Sequence, residues 1–223
     1  MRYENIVKGR FLARPNRFVA HVEIDGREEV CHVKNTGRCR ELLVRDCTVY
    51  LDKAKNPGRK TKYDLVAVEK GQRLINMDSY APNIAAGEFL PKIFPNCIIK
   101  SEYTYGNSRF DFYIEDNRRK ILLEVKGVTL EQDGVVMFPD APTERGLKHV
   151  NELISCVKDG YEAYLLLVVQ MDKVKYFTPN YGTHRQFGEA LKKASQEGVK
   201  LLAYDCAVTP NSMEIKSPVC IKL

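Results

Sequence analysis

Three residues of this 223-residue chain carry the types and spacing of a reactive site. Asp111 is followed after twelve residues by Glu124, and Lys126 stands two further on. Two carboxylates can hold Mg²⁺ or Mn²⁺, hard cations that accept few protein ligands and keep several waters. Such a cation lowers the pKa of bound water and neutralises charge on a phosphate in transfer. A neighbouring ammonium can orient that water and stabilise the transition state. The competing reading is a satisfied cluster of ion pairs with no chemistry. An unpaired charge inside a sheet is costly, so each of these residues needs a partner, a metal or a role.

The elements that must position them are legible around the site. Ser108–Glu115 and Lys120–Lys126 read as two strands joined by the polar turn Asp116-Asn117-Arg118. Alternation along the second strand puts Glu124 and Lys126 on one face, and Asp111 comes from the first strand of the same hairpin. Upstream, Asn83 is the expected N-cap of a short helix through Ala85, Ala86, Glu88 and Phe89, stopped at Pro91. Val135–Phe138 is the expected third strand. Thr143 then opens a long amphipathic helix with Leu147, Val150, Leu153, Ile154 and Val157 on one face, and Gly160 ends it. Tyr161–Gln170 is a buried strand. A helix over Phe187–Glu197 and a strand over Val199–Tyr204 follow.

Asp-x₁₂-Glu-x-Lys on a hairpin, in the order helix, three strands, helix, strand, is the pattern of the PD-(D/E)xK nucleases. Glu88 is placed where many members of that superfamily add a third acid. The literal Pro139-Asp140 comes after Glu-x-Lys and so does not qualify. It is read as a loop entering the long helix.

The first 80 residues differ in kind. Arg17–Ile24 and Glu29–Val33 flank the hairpin signal Asp25-Gly26. Thr48–Ala54 and Lys62–Glu69 add two more strands, with turns at Asn56-Pro57-Gly58 and Lys70-Gly71-Gln72. Only Arg38–Val44 looks capable of a helical turn. Many short strands almost without helix suggest a small OB-type barrel. This segment holds 17 Lys and Arg against 11 Asp and Glu, whereas residues 81–223 hold 18 of each. The net charge of +6 is therefore concentrated in one third of the chain, which suggests a polyanionic partner, DNA or RNA.

The expected fold is α/β, with a mixed central sheet over residues 81–223 and an all-β OB-like barrel over residues 1–80. The N-terminal stretch is polar and basic without an apolar leader, and no apolar run is long enough to span a membrane, so the expected compartment is the cytoplasm. Seven scattered cysteines do not form a disulfide framework. Cys31, His32, Cys39 and Cys47 raise the thought of zinc, but the Cys-x-x-Cys knuckle is missing.

The segments GRFLARPNRFVAHV, HVKNTGRCREL, SRFDFYIED, EVKGVTL and FPDAPTERGLKHVNELI together resemble the sugar fermentation stimulation protein A (SfsA) family, in order from about residue 6 to about residue 204. The resemblance implies an OB-like domain joined to a PD-(D/E)xK-like domain, DNA binding, and a link by name to maltose metabolism. It places Arg14, Asn16 and Arg17 in a basic loop, and His32, Asn35, Thr36, Gly37 and Arg38 in a central loop. Asn, Thr and glycine backbone can donate to phosphate and Arg adds charge. The same Asn35-Thr36-Gly37 also fits a tight turn in which Gly37 supplies a positive φ. Arg145 and Lys148 open the long helix on the side away from its apolar stripe, within reach of a phosphate beside the cation. His149 reads as a structural histidine more readily than as a catalyst. Two functions remain open at this point: a Mg²⁺- or Mn²⁺-dependent nuclease using Asp111, Glu124, Lys126 and Glu88, or a non-cleaving DNA-binding regulator of sugar metabolism.

Overall fold

The computed structural model describes every residue except Thr36, Pro57 and Asn107, so the expectation for Thr36 lies outside the described residues. Strands β1 (Ile6–Asn16), β2 (Val19–Ile24), β3 (Arg27–Val33), β4 (Thr48–Lys53) and β5 (Tyr63–Lys70) close into a barrel, and β6 (Arg73–Asn76) extends it. The closing step is a short parallel pairing of β3 with β5 at His32–Asp64 and Val33–Leu65. Closure removes the free edges that a short-stranded sheet would otherwise expose. Asp25 and Gly26 both have positive φ, as the hairpin between β2 and β3 requires. β1 escapes a period-two reading because Phe11 is its only buried residue. Two register shifts bend it so that it pairs with β2 and β4 at once.

The second sheet has the order β15-β14-β12-β9-β8-β7. Its members are β7 (Ile98–Tyr105), β8 (Ser108–Glu115), β9 (Lys120–Val128), β12 (Glu162–Val169), β14 (Lys200–Thr209) and β15 (Ser212–Pro218). β9, β12 and β14 run parallel, and the outer strands are antiparallel. Helix α1 (Ala81–Ile93) packs on the Ile121, Leu123 and Val125 face. Helices α2 (Glu144–Lys158) and α3 (Arg185–Gln196) cover the opposite face, where Leu122, Val128, Leu165 and Leu167 lie. No helix among the described residues is long and apolar enough to cross a membrane.

Three expectations are corrected. The third strand of the main sheet is β7, whose alternation is hidden by Lys100, Ser101 and Glu102, all exposed. Val135–Phe138 is β11, part of a separate small sheet with β10 (Leu130–Gln132) and β13 (Tyr176–Pro179). Asn83 is not the cap of α1. The helix already begins at Ala81 with Pro82 in its first turn, and the Asp78 side chain and carbonyl accept from Tyr80 N and Ala81 N instead. Pro91 does not stop α1 either, since a single missing N–H in the last turn is tolerated and the helix continues to Ile93. Thr143 does cap α2, its hydroxyl accepting from Gly146 N at 3.0 Å.

Buried polar side chains weld barrel to sheet. Gln170, at the end of β12, donates from Nε2 to Asn76 Oδ1 and to the Asp78 carbonyl. Lys34 Nζ and Tyr3 Oη both reach Asp78 Oδ2. Further along the junction, Glu131 takes Lys70 at 2.7 Å, Arg73 at 3.0 Å and the Gly134 N–H. Burial pushes the Glu131 carboxyl up, but the Lys70 bond, the Gly134 N–H and the two cations outweigh it, and its pKa is lowered. A depressed folded pKa stabilises above the unfolded value and is lost as pH falls through the folded one. Glu131→Gln is therefore expected to cost about 2 kcal/mol at pH 7. The cost should shrink below about pH 4, as wild-type Glu131 itself becomes protonated. Urea melts at both pH values measure this directly.

Candidate active site at the split between two strands

The β8–β9 ladder ends at the Phe112–Leu123 pair. Beyond it the strands part, and the Asp111 side chain takes the place of a backbone acceptor. Its Oδ2 accepts from Val125 N at 2.7 Å, and its Oδ1 accepts from Asn83 Nδ2 at 2.7 Å. Asn83, read from sequence as a cap, thus reaches from α1 into the site. Glu124 projects toward α2, as its even position on β9 dictates. Its Oε1 receives Lys126 Nζ at 2.6 Å and His149 Nδ1. Glu124 is 3% exposed, and its Oε2 is buried without a hydrogen-bond partner among the described residues.

The charges respond as the geometry requires. Burial raises the Asp111 pKa first, and the nearby Glu124 charge raises it further, against the Val125 and Asn83 hydrogen bonds. Burial also pushes Glu124 up, but the His149 hydrogen bond and the Lys126 charge prevail and hold it below the ordinary range. With Glu124 ionised, His149 Nδ1 carries the shared proton. His149 lies in the buried stripe of α2 beside Gly146, Val150 and Leu153. That placement was the one sequence signal for its contact with the sheet.

The residues present fit a hard divalent cation. Two carboxylates lie near enough for Glu124 to raise the Asp111 pKa, and Glu124 keeps one buried oxygen without a partner among the described residues. No third His, Cys, Asp or Glu completes a metal-holding group among the described residues, here or at Cys31, His32, Cys39 and Cys47. Glu88 is not brought to this pair. It lies 57% exposed on α1, paired with the N-terminal amine of Met1 at 2.6 Å.

Gly127, immediately after Lys126, leads into a cavity of about 360 Å³ between barrel and sheet. A Cβ there would lie 2.5 Å from Gln170 Oε1 and 2.8 Å from Pro82 Cγ, so only glycine fits. A second cavity of about 430 Å³ adjoins it, sharing Arg17 and Gly37 and lined by Arg14, Arg38 and Arg40. Arg17, Arg38 and Arg40 are exposed and make no ion pair among the described residues. Arg14 is different, since its guanidinium donates to the carbonyls of Arg38, Arg17 and Asn35 at 2.7, 2.8 and 2.7 Å. It holds the loops that carry the other arginines. Asn16 is likewise committed to a turn, accepting from Phe18 N and Val19 N.

In the central loop, Asn35 donates to the Met77 carbonyl and accepts from Gly37 N. Gly37 is required by packing, because Asp140 Oδ2 would lie 2.4 Å from a Cβ there. That same oxygen accepts from Arg38 N at 2.8 Å, so the Pro139-Asp140 loop clamps the barrel. His32 faces away, bonded to Asp64 at 3.1 Å beside Arg59. Arg145 is exposed one turn before His149, and Lys148 pairs with Glu152 at 3.5 Å.

Barrel, sheet and split strands define an OB-like domain joined to a PD-(D/E)xK nuclease-like α/β domain. The chain belongs to the sugar fermentation stimulation protein family. Residues 12–77 match the family's profile for the SfsA N-terminal OB domain, and residues 81–212 its profile for the sugar fermentation stimulation protein RE domain. The chain is 58% identical over 225 residues to the sugar fermentation stimulation protein homolog of Desulfitobacterium hafniense (strain Y51), covering 100% of this chain and 99% of that one. It is 54% identical over 226 residues to the homolog of Clostridium beijerinckii, covering 100% of both. Among solved structures it is similar to Pyrococcus furiosus SfsA in complex with Ca²⁺, with 28% identity, a TM-score of 0.87, and coverage of 100% of this chain and 98% of that chain.

Proposed function

We propose that the chain is a divalent-cation-dependent phosphodiester hydrolase acting on DNA or RNA. The observation that carries this reading is the orphaned Glu124 Oε2, buried in a carboxylate whose other oxygen holds Lys126 and whose charge raises the Asp111 pKa. A stable protein rarely leaves such an oxygen unmatched without a ligand to match it. Asp111 and Glu124 would hold Mg²⁺ or Mn²⁺, and the similar structure in complex with Ca²⁺ supports a taste for hard cations. The cation would supply charge neutralisation and an acidified water. Glu124 keeps Lys126 at the mouth of the split, where its ammonium faces an incoming phosphate. His149 fixes the Glu124 rotamer from behind. Arg17, Arg38 and Arg40 attract the backbone toward the cavity, and Arg145, exposed one turn before His149, adds charge on the same helix.

A non-cleaving DNA-binding regulator of sugar metabolism is the second reading. The family's name favours it, as does the closed contact of Lys126 and His149 on one Glu124 oxygen. Incubation of end-labelled oligonucleotides with the protein and Mg²⁺ or Mn²⁺ separates the two. The hydrolase reading expects products from the wild type and none from Glu124→Gln. Binding without products under either cation supports the regulator instead.

Reversal of charge at Arg17, Arg38 and Arg40 is expected to weaken binding to all sequences alike. Each lost phosphate contact should flatten the slope of log affinity against log salt by about 0.7–0.9. Filter binding from low to high salt measures it. An unchanged slope in a folded variant would remove this rim from the footprint.

A further inference from the structure

We infer that the cavity between barrel and sheet receives one unstacked base of a single strand, and that it favours bases bearing an exocyclic amino group. The inference rests on the hydrolase reading and names its substrate class. The cavity's size comes first. About 360 Å³ is near the lower end of small-ligand pockets, enough for one nucleotide and far too small for a duplex. Met137, Phe138, Pro139 and Pro142 give it an apolar wall, and the rest of its lining is mostly polar. A flat base needs such a wall, and a base can enter only when freed from its stack.

The polar floor decides what edge the base must show. Gln170 is 1% exposed, and both its amide hydrogens are spent on Asn76 Oδ1 and the Asp78 carbonyl. The Asp78 carbonyl can only accept, so the amide cannot be turned over. Gln170 Oε1 therefore points toward Gly127 and has no hydrogen-bond partner among the described residues. Ser79 donates its hydroxyl to the Lys34 carbonyl, which leaves its oxygen as an acceptor. The Asn35 side chain accepts from Gly37 N and donates one of its two hydrogens to the Met77 carbonyl. The Thr129 and Thr143 hydroxyls, also in the lining, can turn to suit either edge, so the acceptor fixed in place is Gln170 Oε1. Adenine, cytosine and guanine offer an amino donor to it, whereas thymine and uracil flank a single N–H with oxygens that would face these acceptors. Arg17 at the mouth can take the adjoining phosphate, and the chain continues past Gly127 to Lys126.

The test is fluorescence anisotropy with the full chain and labelled dA12, dT12, their duplex, and the RNA strands A12 and U12, in Ca²⁺. Adenine strands should bind at least tenfold tighter than the pyrimidine strands or the duplex, in DNA, RNA or both. Adenine strands stack more strongly than thymine strands, so a mere preference for unstacked chain would give the opposite order. A 2-aminopurine in the adenine strand should change its emission on binding. Met137→Trp, which fills the cavity from its wall, should erase the adenine preference, and so should Gln170→Met. If Gln170→Met fails to fold, Met137→Trp decides. Duplex bound as tightly as single strands, with no difference between bases, overturns the inference and leaves the hydrolase reading standing. No binding of any strand overturns both.

Discussion

Lys126→Ala should abolish strand cleavage while leaving nucleic-acid binding, and it should also lower stability by about 3 kcal/mol. Both effects follow from one contact. The Lys126 and Glu124 side chains are 15% and 4% exposed, with 2.6 Å between Nζ and Oε1. Removing the ammonium strands a buried carboxylate held only by His149 on that oxygen. The activity loss is separate, because on the proposed hydrolase reading Lys126 would act on the transition state rather than on the bound ground state. Divalent cation should restore part of the lost stability by taking over as partner to Glu124, and should restore none of the cleavage. Melting curves and single-turnover cleavage on the same samples check both halves. A Lys126→Ala protein that cleaves at the wild-type rate would leave the lysine as an ion-pair residue alone.

Asp111→Asn should do the reverse to the cation-free protein. The Asp111 pKa is raised by burial and by Glu124, so its ionised form costs stability at neutral pH. The amide can keep both contacts, with its oxygen on Val125 N and its NH₂ on a reoriented Asn83 side chain. The variant should therefore melt higher than wild type at pH 7 without cation. A raised carboxyl pKa means that wild type recovers this cost as pH falls and Asp111 protonates. The gap between variant and wild type should thus close between pH 7 and pH 4. Addition of Mg²⁺ or Mn²⁺ should raise the wild-type melt and leave the variant unmoved. A variant less stable than wild type at every pH would mean that the Asp111 charge is structural.

Much of this site was legible because its signals are local. Alternation on β9 was enough to pair Glu124 with Lys126, and the single turn at residues 116–118 brought Asp111 opposite them. Thr143 announced α2 through its own cap. What stayed hidden depends on contacts distant in sequence. Asn83 meets Asp111 across 28 positions, and Arg38 meets Asp140 across 102. Arg14 looked like a phosphate ligand because nothing in its neighbourhood reveals the three carbonyls it caps. Glu88 shares α1 with Asn83, but five positions along a helix turn it to another side, toward Met1. β1 and β7 lack alternation because few of their side chains are buried, so their pairing is set by the backbone of their neighbours.

The central claim is that a divalent cation compensates the carboxylates on these two strands, and thermal melting of the wild type across a Mg²⁺ or Mn²⁺ titration tests it most directly. At tenfold above the dissociation constant, a ligand specific to the folded state adds about 1.4 kcal/mol. For a chain of this length that is a rise of about 3–6 °C. The predicted result is a saturable rise of this size at millimolar cation that vanishes in Asp111→Asn. A flat wild-type curve through millimolar Mg²⁺ and Mn²⁺ would contradict the claim and leave Asp111, Glu124, Lys126 and His149 as a structural charge cluster.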